Sequence, residues 1–432
     1  MDYSNAGYEA LVNDIFQRFP SVQKEGFTPG AYKPGLERML AFDEAMGFPS
    51  RAFRSIHIAG TNGKGSVSNM IASALCSCGY RVGLFTSPHI HDFRERMRID
   101  GAMVPKDYVQ KFLRTWMPWI IREQLSFFEI TTGLAFKWFA DSGVDAAVIE
   151  TGLGGRLDST NILTPVLTIV TTIGLDHCAL LGNTLPEIAA EKAGIFKPGV
   201  QALVGESQEE TAPVFTEKAW MFCPLRFADR VKPSLWGRRA DILRRMDLQA
   251  AVQEKNLRTV LAALDLLKEE FPNLTRKEAV MDGIIHTARN MDFHGRWERL
   301  SEQPYVLCDI GHNAQALSGN FAQLQALLDS GRFSSLIIVY GIMADKDLDA
   351  ILPLMPREAT YIFTAADTPR SLPAEDLIER FRAFHGLCPQ AYSFVNVRQA
   401  VQMALHLASQ SPAPLIYIGG STFVVAEARL LF

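Results

Sequence analysis

Residues 54–66 read Arg54-Ser-Ile-His-Ile-Ala-Gly-Thr-Asn-Gly-Lys-Gly-Ser66. Arg54 to Ala59 has the short apolar run of a strand, and Ser66 to Cys78 that of a helix ended by Gly79. Between them, Gly60, Thr61, Asn62, Gly63, Lys64, Gly65 and Ser66 form a phosphate-loop motif in the strand–turn–helix context it requires. Glycines let the backbone curl so that successive N–H groups face phosphate oxygens, and the helix start adds the positive end of its dipole. Lys64 would reach the β- and γ-phosphates, and a hydroxyl would hold Mg²⁺. The loop departs from the general pattern both in the spacing of its glycines and after the lysine, where Gly65 follows and Ser66 comes one residue later.

Outward from this stretch, apolar β-branched runs alternate with amphipathic segments, which predicts βα units. Strands are expected at Arg81–Thr86, Asp145–Glu150 and Val166–Thr172. Helices are expected at Pro105–Gln124, Thr184–Ala193 and Val252–Phe271. The pattern breaks at about 286–304 and then restarts. Strands follow at Tyr305–Asp309, Leu336–Tyr340, Thr360–Thr364 and Leu415–Ile418, with helices at about 314–329, 346–354, 373–384 and 397–409. The reading is an α/β protein with a boundary near 294/295: a larger phosphate-loop domain over 1–294 and a smaller Rossmann-like α/β domain over 295–432.

Composition narrows the function. The chain has 432 residues, enough for two or three domains at ~150 each. Apolar residues make up 48% and charged residues 21%, which excludes intrinsic disorder. With 43 Lys+Arg against 47 Asp+Glu the net charge is −4, unlike a dedicated nucleic-acid binder. The arginines at 238, 239, 244 and 245 therefore read as a solvated face. No apolar run approaches the ~18 residues of a membrane span, and the opening MDYSNAGYEA is not a secretory signal. Six cysteines, at 76, 78, 178, 223, 308 and 388, are too scattered for a zinc or disulfide framework. Buried free thiols in a reducing cytoplasm are expected.

A phosphate loop alone suits a kinase, a switch, a motor or a ligase. Three downstream residues narrow it. Glu150 closes a buried strand and faces the carboxyl edge of the sheet, where ligands gather; an acid there can hold Mg²⁺. His177 follows another strand end. Lys192 can act as a point charge for phosphate, or, if neutral, capture CO₂ as a carbamate and become a metal-binding anion.

The motifs GTNGKGS, FTSPHI, ETGLGGRLDSTN, GLDHCALLGNT and AEKAGIFKPG occur in this order, followed by QEKN, HGRWE, DIGHN, DKD and GGSTFVVAEAR. Together they resemble the Mur ligase superfamily, and within it the bifunctional bacterial dihydrofolate synthase/folylpolyglutamate synthases. The resemblance spans about residues 30–432 and is densest over 56–199; the stretch 225–250 matches poorly. There are two further departures. His294-Gly-Arg296 stands where Pro-Gly-Arg is frequent, and Asp309-Ile-Gly-His-Asn313 where Asp-Gly-Ala-His-Asn is.

The resemblance implies ATP as cofactor on the 60–66 loop, with Asn256, Arg296, Asp309 and His312 as further nucleotide contacts. It implies two Mg²⁺ ions, held by Ser66, Glu150, His177 and a carbamoylated Lys192. Thr86, Ser87, Pro88 and His89 match the loop contacting the pterin, and Phe128 and Asp158 match positions lining a dihydropteroate pocket. The implied partners are small molecules: dihydropteroate, reduced folates and L-glutamate. No nucleic acid or membrane is implied, and the state implied is a monomer. The expected reaction passes the γ-phosphoryl of ATP to a carboxylate, and glutamate's amine attacks the acyl phosphate; Lys64, Lys192 and His177 are the catalytic candidates. The second domain is expected to close over the nucleotide. The main alternative is a single-function polyglutamylase. A cell-wall amino-acid ligase fits less well, because only 59 residues precede Gly60. A nucleotide-gated switch without ligase chemistry is the alternative from another class.

Overall fold

In the computed structural model, which describes residues 5–19, 35–386 and 390–432, Arg54–Ala59 is a strand, β1, buried from Ser55 onward. Strands covered on both faces carry near-continuous apolar runs, and β1 does so apart from Ser55 and His57. β1 belongs to an eight-stranded sheet with β2 (Val82–Phe85), β3 (Met97–Ile99), β4 (Ala102–Met103), β5 (Ala146–Glu150), β6 (Leu167–Val170), β7 (Ala202–Val204) and β8 (Leu225–Phe227). The order is β4-β3-β2-β5-β1-β6-β7-β8. Pairing is parallel throughout except for the β2–β3 and β3–β4 pairs.

The topology makes the site. The chain leaves β1 through the helix Lys64–Ser77 and returns as β2, beyond β5, while β6 adds on the opposite side of β1. Ligands of open α/β sheets bind at such a reversal, outside the carboxyl ends of the strands. Register sets the distances: Ile58 lies opposite Glu150, and Ala59 opposite Val170. Gly60, Glu150 and Thr171 therefore emerge at one edge. One face of the sheet packs Phe85, Ala147 and Ile149 against Phe42, Phe136 and Phe139; the other packs Val170 and Val204 against Ile188, Phe196 and Phe215.

By internal contacts the chain forms two units, Met1–Asp247 with Gln253–Phe293, and Leu248–Val252 with His294–Phe432. The second holds a six-stranded sheet of β9 (Glu298–Glu302), β10 (Tyr305–Asp309), β11 (Ser335–Tyr340), β12 (Thr360–Thr364), β13 (Ala391–Phe394) and β14 (Pro414–Gly419). Its order is β13-β12-β11-β14-β10-β9, with only β9 antiparallel to its neighbour. Tyr340, Tyr361, Phe363, Phe381 and Tyr417 fill one side of it.

Several elements differ from the sequence reading. The helix expected over Val252–Phe271 is Gln253–Leu266. Pro105 sits at the N-cap of Lys106–Arg122 rather than in its first turn. The segment 346–354 splits into a helix Leu348–Ile351 and a 3₁₀ turn Leu352–Leu354, because Pro353 cannot donate into a continuing helix. Strands β3, β4, β7 and β8 are only two or three residues long, too short to show alternation. The helix Phe127–Asp141 is a further element beyond those expected, and Ser126 and Glu129 form a capping box at its start.

Arg244 and Arg245 are exposed and share Asp241. Five cysteines are free thiols, and Cys388 lies outside the described residues. Among the described residues no helix is long and apolar enough to cross a membrane.

Candidate active site

The loop after β1 is pinned to the turn after β6. Thr61 N–H donates to Thr172 O at 2.8 Å, and Thr171 Oγ1 donates to Asn62 O at 2.6 Å. Glycine is required at two points. A Cβ on Gly60 would lie 1.9 Å from Thr171 Oγ1, and one on Gly63, at φ +85°, 2.4 Å from Asn256 Oδ1. Gly63 caps the helix Lys64–Ser77 in the left-handed conformation, so the helix starts at the lysine itself.

Cations and hydroxyls gather on this loop. Lys64 Nζ donates to Gly60 O at 3.0 Å and to Thr61 O at 3.3 Å. Lys192, only 4% exposed on the helix Leu185–Ala193, also donates to Gly60 O, at 3.0 Å. Burial first, and then the charge of Lys64, push the Lys192 ammonium down to about 7, against the pull of Asp176 and Asp158. Ser66 is buried, and its Oγ accepts from Gln253 Nε2 at 3.3 Å. Glu150 is buried at the end of β5, and its Oε2 would lie 3.7 Å from a Cβ on Gly65. The structure thus brings Ser66 and Glu150 to the same helical turn.

His177 is placed less tightly. It starts the short helix Cys178–Leu181 at φ 55°, with Nε2 3.8 Å from Asp176 Oδ2. Among the described residues no three or more His, Cys, Asp or Glu side chains are assembled as a metal centre. A magnesium site does not need that, because Mg²⁺ binds through one or two carboxylates plus waters and phosphate oxygens. A buried hydroxyl and a buried carboxylate at the first turn of a phosphate-loop helix fit that chemistry.

The turn from Glu150 to Asn161 supports the lysine. Asp158 accepts from Leu153 N at 2.8 Å and from Thr160 N at 3.0 Å, and also from the Thr160 hydroxyl. Burial nevertheless raises its pKa. Arg156 N donates to Glu191 O, and the Arg156 guanidinium pairs with the Glu191 carboxylate at 2.9 Å. Glu191 is therefore engaged with Arg156, leaving Lys192 directed at the loop. Asp158 organises this turn through these three bonds. Phe128 lies against Gly152, where a Cβ would come within 2.5 Å of its ring, and packs on Phe85 at 5.8 Å.

The loop 86–89 follows β2. Thr86 N donates to Arg96 O at 3.0 Å, the Ser87–Pro88 peptide is cis, and Arg96 Nε donates to His89 Nδ1 at 2.8 Å.

In the second unit, Asp309 accepts from Trp297 N at 2.9 Å, Gly311 N at 2.7 Å and Asn320 Nδ2 at 2.8 Å. Its carboxylate shapes the turn after β10. His312 Nδ1 donates to Ile310 O at 3.1 Å. Arg296 has a buried Nε with no protein partner among the described residues, the state of a guanidinium suited to an anion.

A family model for the Mur ligase glutamate ligase domain matches residues 295–421. The dihydrofolate synthase/folylpolyglutamate synthase of Bacillus subtilis is 33% identical over 377 residues, 80% of this chain and 84% of its own length. The chain belongs to the dihydrofolate synthase/folylpolyglutamate synthase family. A probable bifunctional folylpolyglutamate synthase/dihydropteroate synthase of Haloferax volcanii is 34% identical over 92% of this chain, which spans about half, 48%, of that relative. Among solved structures, the Mycobacterium tuberculosis folylpolyglutamate synthase complexed with ADP aligns at TM-score 0.83 and 26% identity, covering 100% of this chain and 99% of that one. The Yersinia pestis bifunctional folylpolyglutamate synthase/dihydrofolate synthase complexed with AMPPNP and Mn ion aligns at 0.80 and 25%, covering 98% and 97%.

Within this family frame, three residues of the site were not singled out from sequence. Gln253 sits three residues before Asn256 on one helical face, a spacing already visible in the QEKN motif. Thr171 and Arg96 carried no such signal; only the pairing of β6 with β1 and of β2 with β3 brings them in.

Proposed function

We propose that the chain is a bifunctional, ATP-dependent ligase that joins L-glutamate to dihydropteroate and to folyl (poly)glutamates. The observation that carries this reading is the convergence of Lys64, Lys192, Ser66 and Glu150 on one phosphate loop at the reversal of the sheet. A carboxylate is a poor electrophile, so amide formation needs activation. The γ-phosphoryl of ATP passes to the substrate carboxylate, and the glutamate amine attacks the resulting acyl phosphate, releasing phosphate. Such transfer asks mainly for positioning and charge neutralisation. Lys64 offsets the charge that builds on the phosphoryl group, and the loop N–H groups orient it.

Bound magnesium would supply the remaining screening of phosphate against carboxylate. Ser66, Glu150 and His177 are the residues we assign to it, with a second ion on Lys192 as its carbamate. That assignment is supported by the lowered pKa of Lys192, since only a neutral amine captures CO₂. Asn256, Arg296, Asp309 and His312 are assigned to the nucleotide, the last two by shaping the turn after β10. Thr86–His89, Phe128 and Asp158 are assigned to the pteridine end of the substrate, Asp158 by holding the 152–160 turn. Free thiols support a cytoplasmic enzyme, acting as a monomer on small molecules.

The experiment is product analysis by mass. With MgATP and L-glutamate, the protein should convert dihydropteroate to dihydrofolate and extend a reduced monoglutamyl folate. Extension without dihydrofolate would replace this reading with a single-function polyglutamylase. Absence of glutamate-dependent phosphate release with either acceptor would remove the ligase reading.

A further inference from the structure

Arg96 is buried at 3% exposure beside the 86–89 loop, within the electrostatic reach of Glu150. A guanidinium there needs reasons, because desolvating a charge is costly. Burial pulls its pKa down to about 10, while the charges of Glu150 and Glu95 hold it up. Its plane lies over the Phe127 ring, 5.3 Å from the centroid. Its Nε is spent on His89 Nδ1, at 2.8 Å.

That bond fixes chemistry at His89. An arginine nitrogen can only donate, so His89 Nδ1 is the acceptor and carries no proton. The ring proton is then on Nε2. Burial and the nearby Arg96 charge hold the imidazole well below its usual pKa, so the ring stays neutral. The ring is also walled in. Phe16, from the helix Asn5–Arg18, meets it edge-on at 5.6 Å, and Phe93 does so at 6.4 Å. Phe16 in turn packs on Phe127 at 4.5 Å. The imidazole has one defined tautomer and one orientation. Its Nε2–H makes no hydrogen bond to any described residue.

We propose that Arg96 is a positioning residue that locks His89 as a neutral Nε2–H donor, and that this donor binds an acceptor atom on the pteroyl group of the substrate. The proposal deepens the folate-ligase reading and rests on it. It also gives the helix Asn5–Arg18, which lies before the region of motif resemblance, a place in substrate binding through Phe16.

The test has two arms. In protein labelled with ¹⁵N-histidine, long-range proton–nitrogen correlation spectra should show His89 as the pure Nε2–H tautomer, and Arg96→Met should convert it to an averaged pattern. Arg96→Lys, which keeps a donor, should retain the wild-type pattern in part. In ligation assays, Arg96→Met and His89→Leu should raise KM for the folate acceptor about tenfold, the size of one hydrogen bond, with KM for MgATP unchanged. The backbone bond from Thr86 N to Arg96 O survives these changes. A wild-type His89 carrying its proton on Nδ1, or on both nitrogens, overturns the proposal without any variant. So does a folded His89→Leu enzyme in which both KM values hold or move together. Failure of the folate-ligase reading would appear separately, as wild-type protein that ligates glutamate to neither acceptor.

Discussion

The ammonium groups of Lys64 and Lys192 donate to the same acceptor, the carbonyl of Gly60, each at 3.0 Å. Two like charges on one oxygen are unfavourable unless one is lost or an anion joins them. Burial and Lys64 together lower Lys192 to about 7. Carbamate formation on Lys192 would replace one cation of the pair with an anion and remove the repulsion. Lys192→Ala should therefore be inactive, and acetate or formate should partly restore it by filling the vacated anion position. ¹³C-labelled bicarbonate should give a carbamate resonance in wild type that is absent from the variant. A bare ammonium in a high-resolution map, with no carboxylate rescue, would refute this. Lys64→Ala should lower kcat by ~10²-fold or more in a folded protein, the loss typical of one electrostatic stabiliser.

Glu150→Gln and His177→Ala test the metal assignment. Glu150 is fixed by its register opposite Ile58, whereas His177 sits in a half-exposed turn. Both variants should raise the magnesium concentration for half-maximal activity, Glu150→Gln the more. Divalent-metal titrations check this, and unchanged half-saturation in both would make the two residues structural.

Gly60→Ala should disrupt the loop. The added carbon would lie 1.9 Å from Thr171 Oγ1, at a φ of +151° that side chains rarely adopt. The expected result is weaker ATP binding and a lower Tm. Gly60→Ala with Thr171→Ala should recover part of the loss, because the two sites are in contact and their effects do not add. Equal Tm for the single and double variants would show that backbone conformation, not the clash, sets the cost.

His57 makes stability depend on pH. It is fully buried on β1, with Nε2 2.8 Å from Thr160 Oγ1, and burial, then Lys197, lowers its pKa to about 3. Between that value and the ~6.5 of an unfolded histidine, the unfolded chain binds a proton that the folded chain does not. His57 therefore favours the fold above pH ~6.5 and loses this contribution as the pH falls toward 3, by up to roughly 1.4 kcal/mol per pH unit. Urea unfolding at pH 7 and pH 5 should show a shallower acid loss in His57→Gln, which can still donate to Thr160. An identical loss in both proteins would place the sensitivity elsewhere.

The sequence by itself determined the alternation of strands and helices, the phosphate loop, and the family. These are local matters: Gly60, Gly63 and Lys64 owe their roles to backbone conformation and to the strand and helix beside them. The strands β10 and β12 were legible to the residue for the same reason, as apolar runs bounded by turns. Short or polar edge strands such as β4 and β9 were not, since pairing with a neighbour, rather than their own pattern, makes them strands. Tertiary structure alone decided which side chains meet. The register of β5 and β6 on β1 brings Glu150 and Thr171 to Gly60, across about 90 and 110 residues of chain, and no local signal encodes that distance. Asp158 and Asp309 read as ligand contacts by their motifs, and only the fold shows which backbone groups also hold them: Asp158 accepts from Leu153 N and Thr160 N of its own turn, and Asp309 from Gly311 N and from Trp297 N, 12 residues away. A buried acid must satisfy its lone pairs with whatever donors the fold supplies, and those donors are visible only once the chain is folded.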